Sequence, residues 1–136
     1  MIDKPLVLVV DDEERFRANM LRLLSLNGLD ALAATGGREA LEIMAREAVD
    51  VVLLDMKMPG MSGAEIMAEL SKREDRPEVI FLSGHASLDL PLDKVCSGAC
   101  DYLIKPCTMD VLLAKIESAM ERRRARATGL GGPRAA

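Results

Sequence analysis

The stretch Leu6-Val7-Leu8-Val9-Val10-Asp11-Asp12 decides the fold. Five apolar residues with no polar residue at alternate positions do not suit a strand that shows one face to water. The run therefore reads as a strand buried on both faces, the habit of parallel sheets. Four more runs follow, at Asp30–Ala34, Val51–Leu54, Val79–Leu82 and Cys100–Ile104, and those at 51–54 and 79–82 are equally bare of polar residues. The runs begin at intervals of 21 to 28 residues, the spacing of right-handed strand-helix-strand crossovers.

The segments between the runs carry helical spacing. Phe16, Met20, Leu23 and Leu24 form one apolar stripe, Leu41, Met44, Ala45 and Ala48 a second, and Ile66, Met67 and Leu70 a third. A last helix is expected from near Thr108, with Leu112, Ile116, Ala119 and Met120 inward, fraying into Arg122-Arg123-Arg124. The fourth helix is the weak one: Pro91 interrupts the pattern Leu88, Leu92, Val95, so a short helix beginning at Pro91 is expected, with 85–90 extended. The pattern predicts an α/β fold, (βα)5, doubly wound. Residues 5–124 form the expected domain, and 125–136, with Gly129, Gly131, Gly132 and Pro133, read as a flexible tail or truncated linker.

The 136 residues suffice for one core, and 49% hydrophobic content excludes a disordered tail. Aromatic content of 2% excludes a nucleic-acid surface built on stacked rings. Residues 1–120 hold 13 Lys and Arg against 21 Asp and Glu, so the body is acidic, which argues against a phosphate-backbone footprint and direct nucleic-acid binding. The arginines at 122–126 read as complements to a helix C-terminus. No apolar run approaches membrane-spanning length, no signal peptide is visible, and Cys96, Cys100 and Cys107 make a disulfide framework or zinc site a poor reading, so a cytoplasmic address with reduced thiols is expected.

Parallel strands all finish on one side, where open sheets of this kind bind ligands. The first strand ends in Asp11-Asp12, the third in Asp55, the fourth in Ser83-Gly84 and the fifth in Lys105-Pro106. Three carboxylates, a hydroxyl and an ammonium should converge. Asp11 with Glu14 could equally form a capping box, and Asp55 could simply open a turn. Crowded carboxylates repel one another unless a cation is present, and a site of few, hard oxygen ligands suits Mg2+ better than zinc. Such an ion would leave one carboxylate able to attack phosphorus, with Lys105 and Ser83 placed to contact the remaining phosphoryl oxygens.

Val-Val-Asp-Asp-Glu at 9–13, Leu-Leu-Asp-Met-Lys-Met-Pro-Gly-Met-Ser-Gly at 53–63, Leu-Ser-Gly-His at 82–85 and Gly-Ala-Cys-Asp-Tyr-Leu-Ile-Lys-Pro at 98–106 together resemble the receiver domain of bacterial two-component response regulators. The resemblance covers about residues 5–124. It implies a flavodoxin-like sheet of order 2-1-3-4-5 and a phosphorelay role. Asp55 would accept a phosphoryl group from a sensor histidine kinase or phosphotransfer protein. Asp11, Asp12, Asp55 and the carbonyl of Lys57 would hold Mg2+, Asp11 through water. Ser83 and Lys105 would meet the phosphoryl group, Ser83 and Tyr102 would act as the switch, and Pro106 would follow a cis bond. Lys57 and His85 flank the site and would tune hydrolysis.

The resemblance also implies that output is binding, through the face of the fourth helix, fifth strand and fifth helix, toward a downstream effector, an output domain or a second copy of the chain. Turnover would be limited to the chain's own phosphorylation and slow dephosphorylation. Two rival readings fit less well. A phosphohydrolase normally places an acid-base carboxylate two residues after its nucleophile, where Lys57 stands here. A phosphorylation-independent interaction module would have no use for the intact acidic, Ser and Lys positions.

Overall fold

The computed structural model describes residues 4–55, 63–70, 72–73, 76–83, 100–104 and 107–128; of residues 63, 64, 83, 100 and 126–128 only the backbone is described. Five strands, β1 (Leu6–Val10), β2 (Asp30–Ala34), β3 (Val51–Asp55), β4 (Glu78–Ser83) and β5 (Cys100–Ile104), form one wholly parallel sheet of order β2-β1-β3-β4-β5. Four helices are described: α1 (Glu14–Leu26), α2 (Gly37–Arg46), α3 (Gly63–Leu70) and the C-terminal α4 (Met109–Thr128). The strands lie where the apolar runs predicted them. The helix expected near Pro91, along with His85 and Cys96, falls outside the described residues.

The bare apolar strands are explained by the two layers they feed. Leu8, Val10, Val52, Leu54, Val79 and Phe81 pack with Ala40, Ile43 and Met44 of α2 and Ile66 and Leu70 of α3. Their sequence neighbours Val7, Val9, Val51, Leu53, Ile80 and Leu82 point the other way, against Met20 and Leu24 of α1 and Leu112, Ile116 and Ala119 of α4. Every other residue of a central strand serves each core, so no position is left for a polar side chain. Each fully buried side chain of this size contributes roughly 1.5–3 kcal/mol.

Two helices differ from expectation, one in its stripe and one in its end. On α2 the inward residues are Gly37, Ala40, Ile43 and Met44, with Leu41 partly covered, whereas Ala45 and Ala48 are exposed and Ala48 lies beyond the helix end. Turning Ile43 inward buries far more apolar surface than an alanine would, and the small Gly37 and Ala40 let the helix approach the sheet. At the start of α2 the Thr35 amide and hydroxyl donate to Glu39 Oε1 at 2.7 and 3.0 Å. These bonds, with Arg17 and Arg46 adding attraction, hold the Glu39 carboxyl below its ordinary pKa.

The second difference is at the C-terminal helix, which does not fray at Arg122–Arg124 but runs to Thr128. Arg122 Nε donates to Glu78 Oε1 at 2.9 Å, and Arg123 Nε donates to Asp50 Oδ1 at 3.1 Å. Arg123 Nη1 also donates to the Arg76 carbonyl at 2.7 Å, and Asp50 Oδ2 accepts the Leu6 amide at 2.9 Å. These two arginines thus bind the starts of β1, β3 and β4 together. They are not merely complements to a helix dipole.

At the end of α1, Gly28 takes a positive φ of 84°, and the Leu29 amide returns to the Leu24 carbonyl at 3.0 Å. This left-handed stop turns the chain into β2.

Candidate functional site

The parallel register makes the site. Val10 is paired with Leu54, so the residues that follow, Asp11 and Asp55, emerge side by side from adjacent central strands. Asp12 comes next along the loop into α1. One carboxylate oxygen from each of Asp11, Asp12 and Asp55 lies within 4.8 Å of the others. Asp11 is buried at 1% exposure, Asp55 is partly buried and Asp12 is open to solvent.

Asp11 is held on several sides. Its amide donates to the Ala34 carbonyl at 3.2 Å, and its Oδ1 accepts the Glu13 amide at 2.8 Å. Arg17 Nη1 donates to its main-chain carbonyl at 2.9 Å. The Glu13 contact is a side-chain turn reaching two residues on. It takes the place of the capping box considered for Asp11 and Glu14, for Glu13 is the N-cap of α1 and no side-chain cap bond is made there.

The acidic trio fits a small dication. Oxygens sharing one Mg2+ at about 2.1 Å sit roughly 3–4 Å apart, so groups already within 4.8 Å need only small side-chain adjustments or a bridging water. The donors are all hard carboxylate oxygens, and an exposed member leaves room for water ligands, which Mg2+ retains. Among the described residues no other cluster of His, Cys, Asp or Glu meets the geometry for a metal ion. Cys107, partly exposed, is not part of a disulfide.

Ser83 closes β4 opposite Ile104, the last residue of β5, one strand removed from Asp55. Its backbone is therefore at the same sheet edge as the acids, while its side chain lies outside the description. Lys57, Lys105 and Pro106 also fall outside the described residues. Tyr102 lies on β5, the sheet edge strand, and is 45% exposed.

Arg17 was not singled out by sequence reasoning. Its signal was a cation six residues after Asp11 on the first turns of α1, close enough for a long side chain to return to the loop. Asp101 and Lys115 were missed as well. Lys115 Nζ donates to Asp101 Oδ2 at 2.9 Å, tying β5 to α4. Partial burial pushes the Asp101 carboxyl up, but the Lys115 bond and the Tyr102 amide outweigh it and hold the pKa below the ordinary value.

Comparisons with known proteins identify the family. Residues 7–117 match the family model described as the response regulator receiver domain. The response regulator MprA of Mycolicibacterium vanbaalenii is 35% identical over 116 residues, 85% of this chain and 50% of that protein. The DNA-binding transcriptional regulator NtrC of Escherichia coli K12 is 34% identical over 136 residues, 97% of this chain and 29% of that protein. The chain thus spans no more than half the length of these relatives.

A receiver domain from Clostridium thermocellum superposes with a TM-score of 0.80 at 37% identity, covering 88% of this chain and 97% of that one. The response regulator TrrA of Thermotoga maritima, solved in complex with Mg2+ and BeF, gives 0.75 at 30% identity over 85% of this chain and 98% of that one. With five parallel strands in the order 2-1-3-4-5, acids at the ends of the two central strands and a family match over most of its length, the chain belongs to the receiver domains of two-component response regulators.

Proposed function

We propose that Asp55 is the phosphoryl acceptor of this receiver domain and that Asp11, Asp12 and Asp55, with the Lys57 carbonyl, hold Mg2+ beside it. The observation that carries this reading is the meeting of the three carboxylates at the ends of β1 and β3. An oxygen of the Asp55 carboxylate attacks phosphorus of a phosphohistidine on a sensor kinase or phosphotransfer protein. The P–N bond breaks, the imidazole leaves with the electron pair, and an acyl phosphate remains on Asp55. When bound, the ion offsets charge on the phosphoryl oxygens. Lys105 and Ser83 would bind the remaining phosphoryl oxygens. Water attacking phosphorus then releases inorganic phosphate and restores the carboxylate.

Partial burial of Asp55 and full burial of Asp11 strengthen the electrostatics, because fewer waters compete. The acyl phosphate carries roughly two negative charges where the Asp55 carboxylate carried one, a net gain of about one at a place where the acids already repel. Drawing Ser83 and Lys105 inward would shift a pre-existing equilibrium of the segment beyond β4, β5 with Tyr102, and α4. That face would then bind an effector, an output domain or a second copy of the chain. On this reading the chain is a switch whose only turnover is of its own phosphoryl group. It works in the cytoplasm, with residues 5–124 as the domain and 125–136, whose first four residues continue α4 to Thr128, as a tail or linker. No described helix is long and apolar enough to cross a membrane.

The rival without phosphorylation leaves the acidic trio without a purpose. Adding beryllium fluoride with Mg2+ and following backbone amide shifts tests the proposal. Shifts concentrated at the ends of β1, β3 and β4 and requiring Mg2+ support it, and an unchanged spectrum counts against it.

A further inference from the structure

We infer that Arg17 is a positioning residue for the metal site, holding the Asp11-Asp12 peptide so that Asp12 is presented toward Asp55. The inference rests on the Mg2+ site proposed above. Arg17 Nη1 donates to the Asp11 carbonyl at 2.9 Å. That carbonyl and the Asp12 amide belong to one rigid peptide plane, so fixing the oxygen fixes the direction in which the chain enters Asp12.

Asp11 has further anchors of its own, through the Ala34 carbonyl and the Glu13 amide. Asp12 differs. It is exposed, and among the described residues its carboxylate makes no hydrogen bond or ion pair. Its placement depends on the backbone that carries it, and the Arg17 bond closes the plane immediately before it. Arg17 arises from α1, whose Met20 and Leu24 are buried against the sheet, so the donor is supported by a packed element rather than a free loop.

The guanidinium has a second, opposite effect. As a cation near the acids it disfavours a dication by charge alone. The two effects predict changes of opposite sign, which makes the assignment decidable. If positioning dominates, removing the side chain weakens Mg2+ binding. If charge dominates, removal tightens it.

The test titrates Mg2+ into the wild-type chain, Arg17→Met and Arg17→Lys, following amide shifts by NMR, with thermal unfolding measured on the same samples. Arg17→Met is expected to bind Mg2+ about three- to tenfold more weakly, the scale of one lost hydrogen bond. Arg17→Lys, which keeps a donor and the charge, is expected to recover at least half of that loss. Unchanged or tighter binding by Arg17→Met overturns the inference. So does a lysine variant no better than methionine, since the loss would then trace to side-chain packing.

A second readout does not need the metal. In Mg2+-free protein, Arg17→Met is expected to move the Asp12 amide resonance and speed its hydrogen exchange, while amides in β3 keep theirs. An Asp12 amide that stays unchanged overturns the inference. Failure of the wild-type chain to bind Mg2+ would sink the metal proposal, and the Asp12 amide would still decide whether Arg17 holds this peptide.

Discussion

Arg122 places its Nε 2.9 Å from the carboxylate of Glu78, a residue 44 positions earlier that is only 1% exposed at the start of β4. The arginine keeps 40% of its side chain in solvent. The pair therefore carries part of the cost of a buried charge while retaining some hydration. Its chief service is to prevent the Glu78 carboxylate from being left alone in the interior.

Replacing Arg122 by Met is accordingly expected to destabilise the fold by about 2–3 kcal/mol, below the full value for a completely buried pair. Adding Glu78→Gln should restore much of the loss by removing the stranded charge. Urea unfolding of the two single variants and the double variant measures both effects, and additive losses would argue against direct pairing.

The Asp101–Lys115 pair gives a pH dependence. The folded pKa of Asp101 lies below its ordinary value, so the stabilisation is complete above the unfolded pKa of about 4 and disappears as pH falls through the lower folded value. Lys115→Met should cost about 0.5 kcal/mol near neutral pH, the usual scale for a partly exposed ion pair, and less in acid. Thermal unfolding of both proteins between neutral pH and about pH 2 should show the variant with the shallower acid decline.

Crowding of the acids predicts opposite responses with and without metal. Asp12→Asn removes one of three carboxylates within 4.8 Å, so the Mg2+-free protein should gain on the order of 0.5–1 kcal/mol. Mg2+ at a hundred times its dissociation constant should stabilise the wild type by about 2.7 kcal/mol, and the same concentration should add less to the variant. Unfolding temperatures in chelator and in excess Mg2+ measure both quantities.

Much of this was legible before any coordinates. Val7–Val10 and Val51–Leu54 had no polar alternates because both sheet faces are covered, and parallel strands bring Asp11 and Asp55 to one edge whatever their separation in the chain. The α2 stripe was misread because alanines at helical spacing mimic an apolar face while contributing little buried area; Ile43 decides the rotation. The roles of Arg122 and Arg123 were hidden for a different reason. Their partners stand 44 and 73 residues away, and no local periodicity records which acids a tertiary fold will bring to them. Arg17 lay nearer in sequence, but its target is a backbone oxygen, which leaves no mark on residue type.

The most direct measurement incubates the wild-type chain and Asp55→Asn with acetyl phosphate and Mg2+, then locates the phosphoryl group by intact mass and peptide mapping. One alkali-labile phosphoryl group on Asp55 in the wild type, absent from the variant and from a sample treated with chelator, is the predicted result. Equal uptake by Asp55→Asn, or phosphate found on another residue of the wild type, would contradict it.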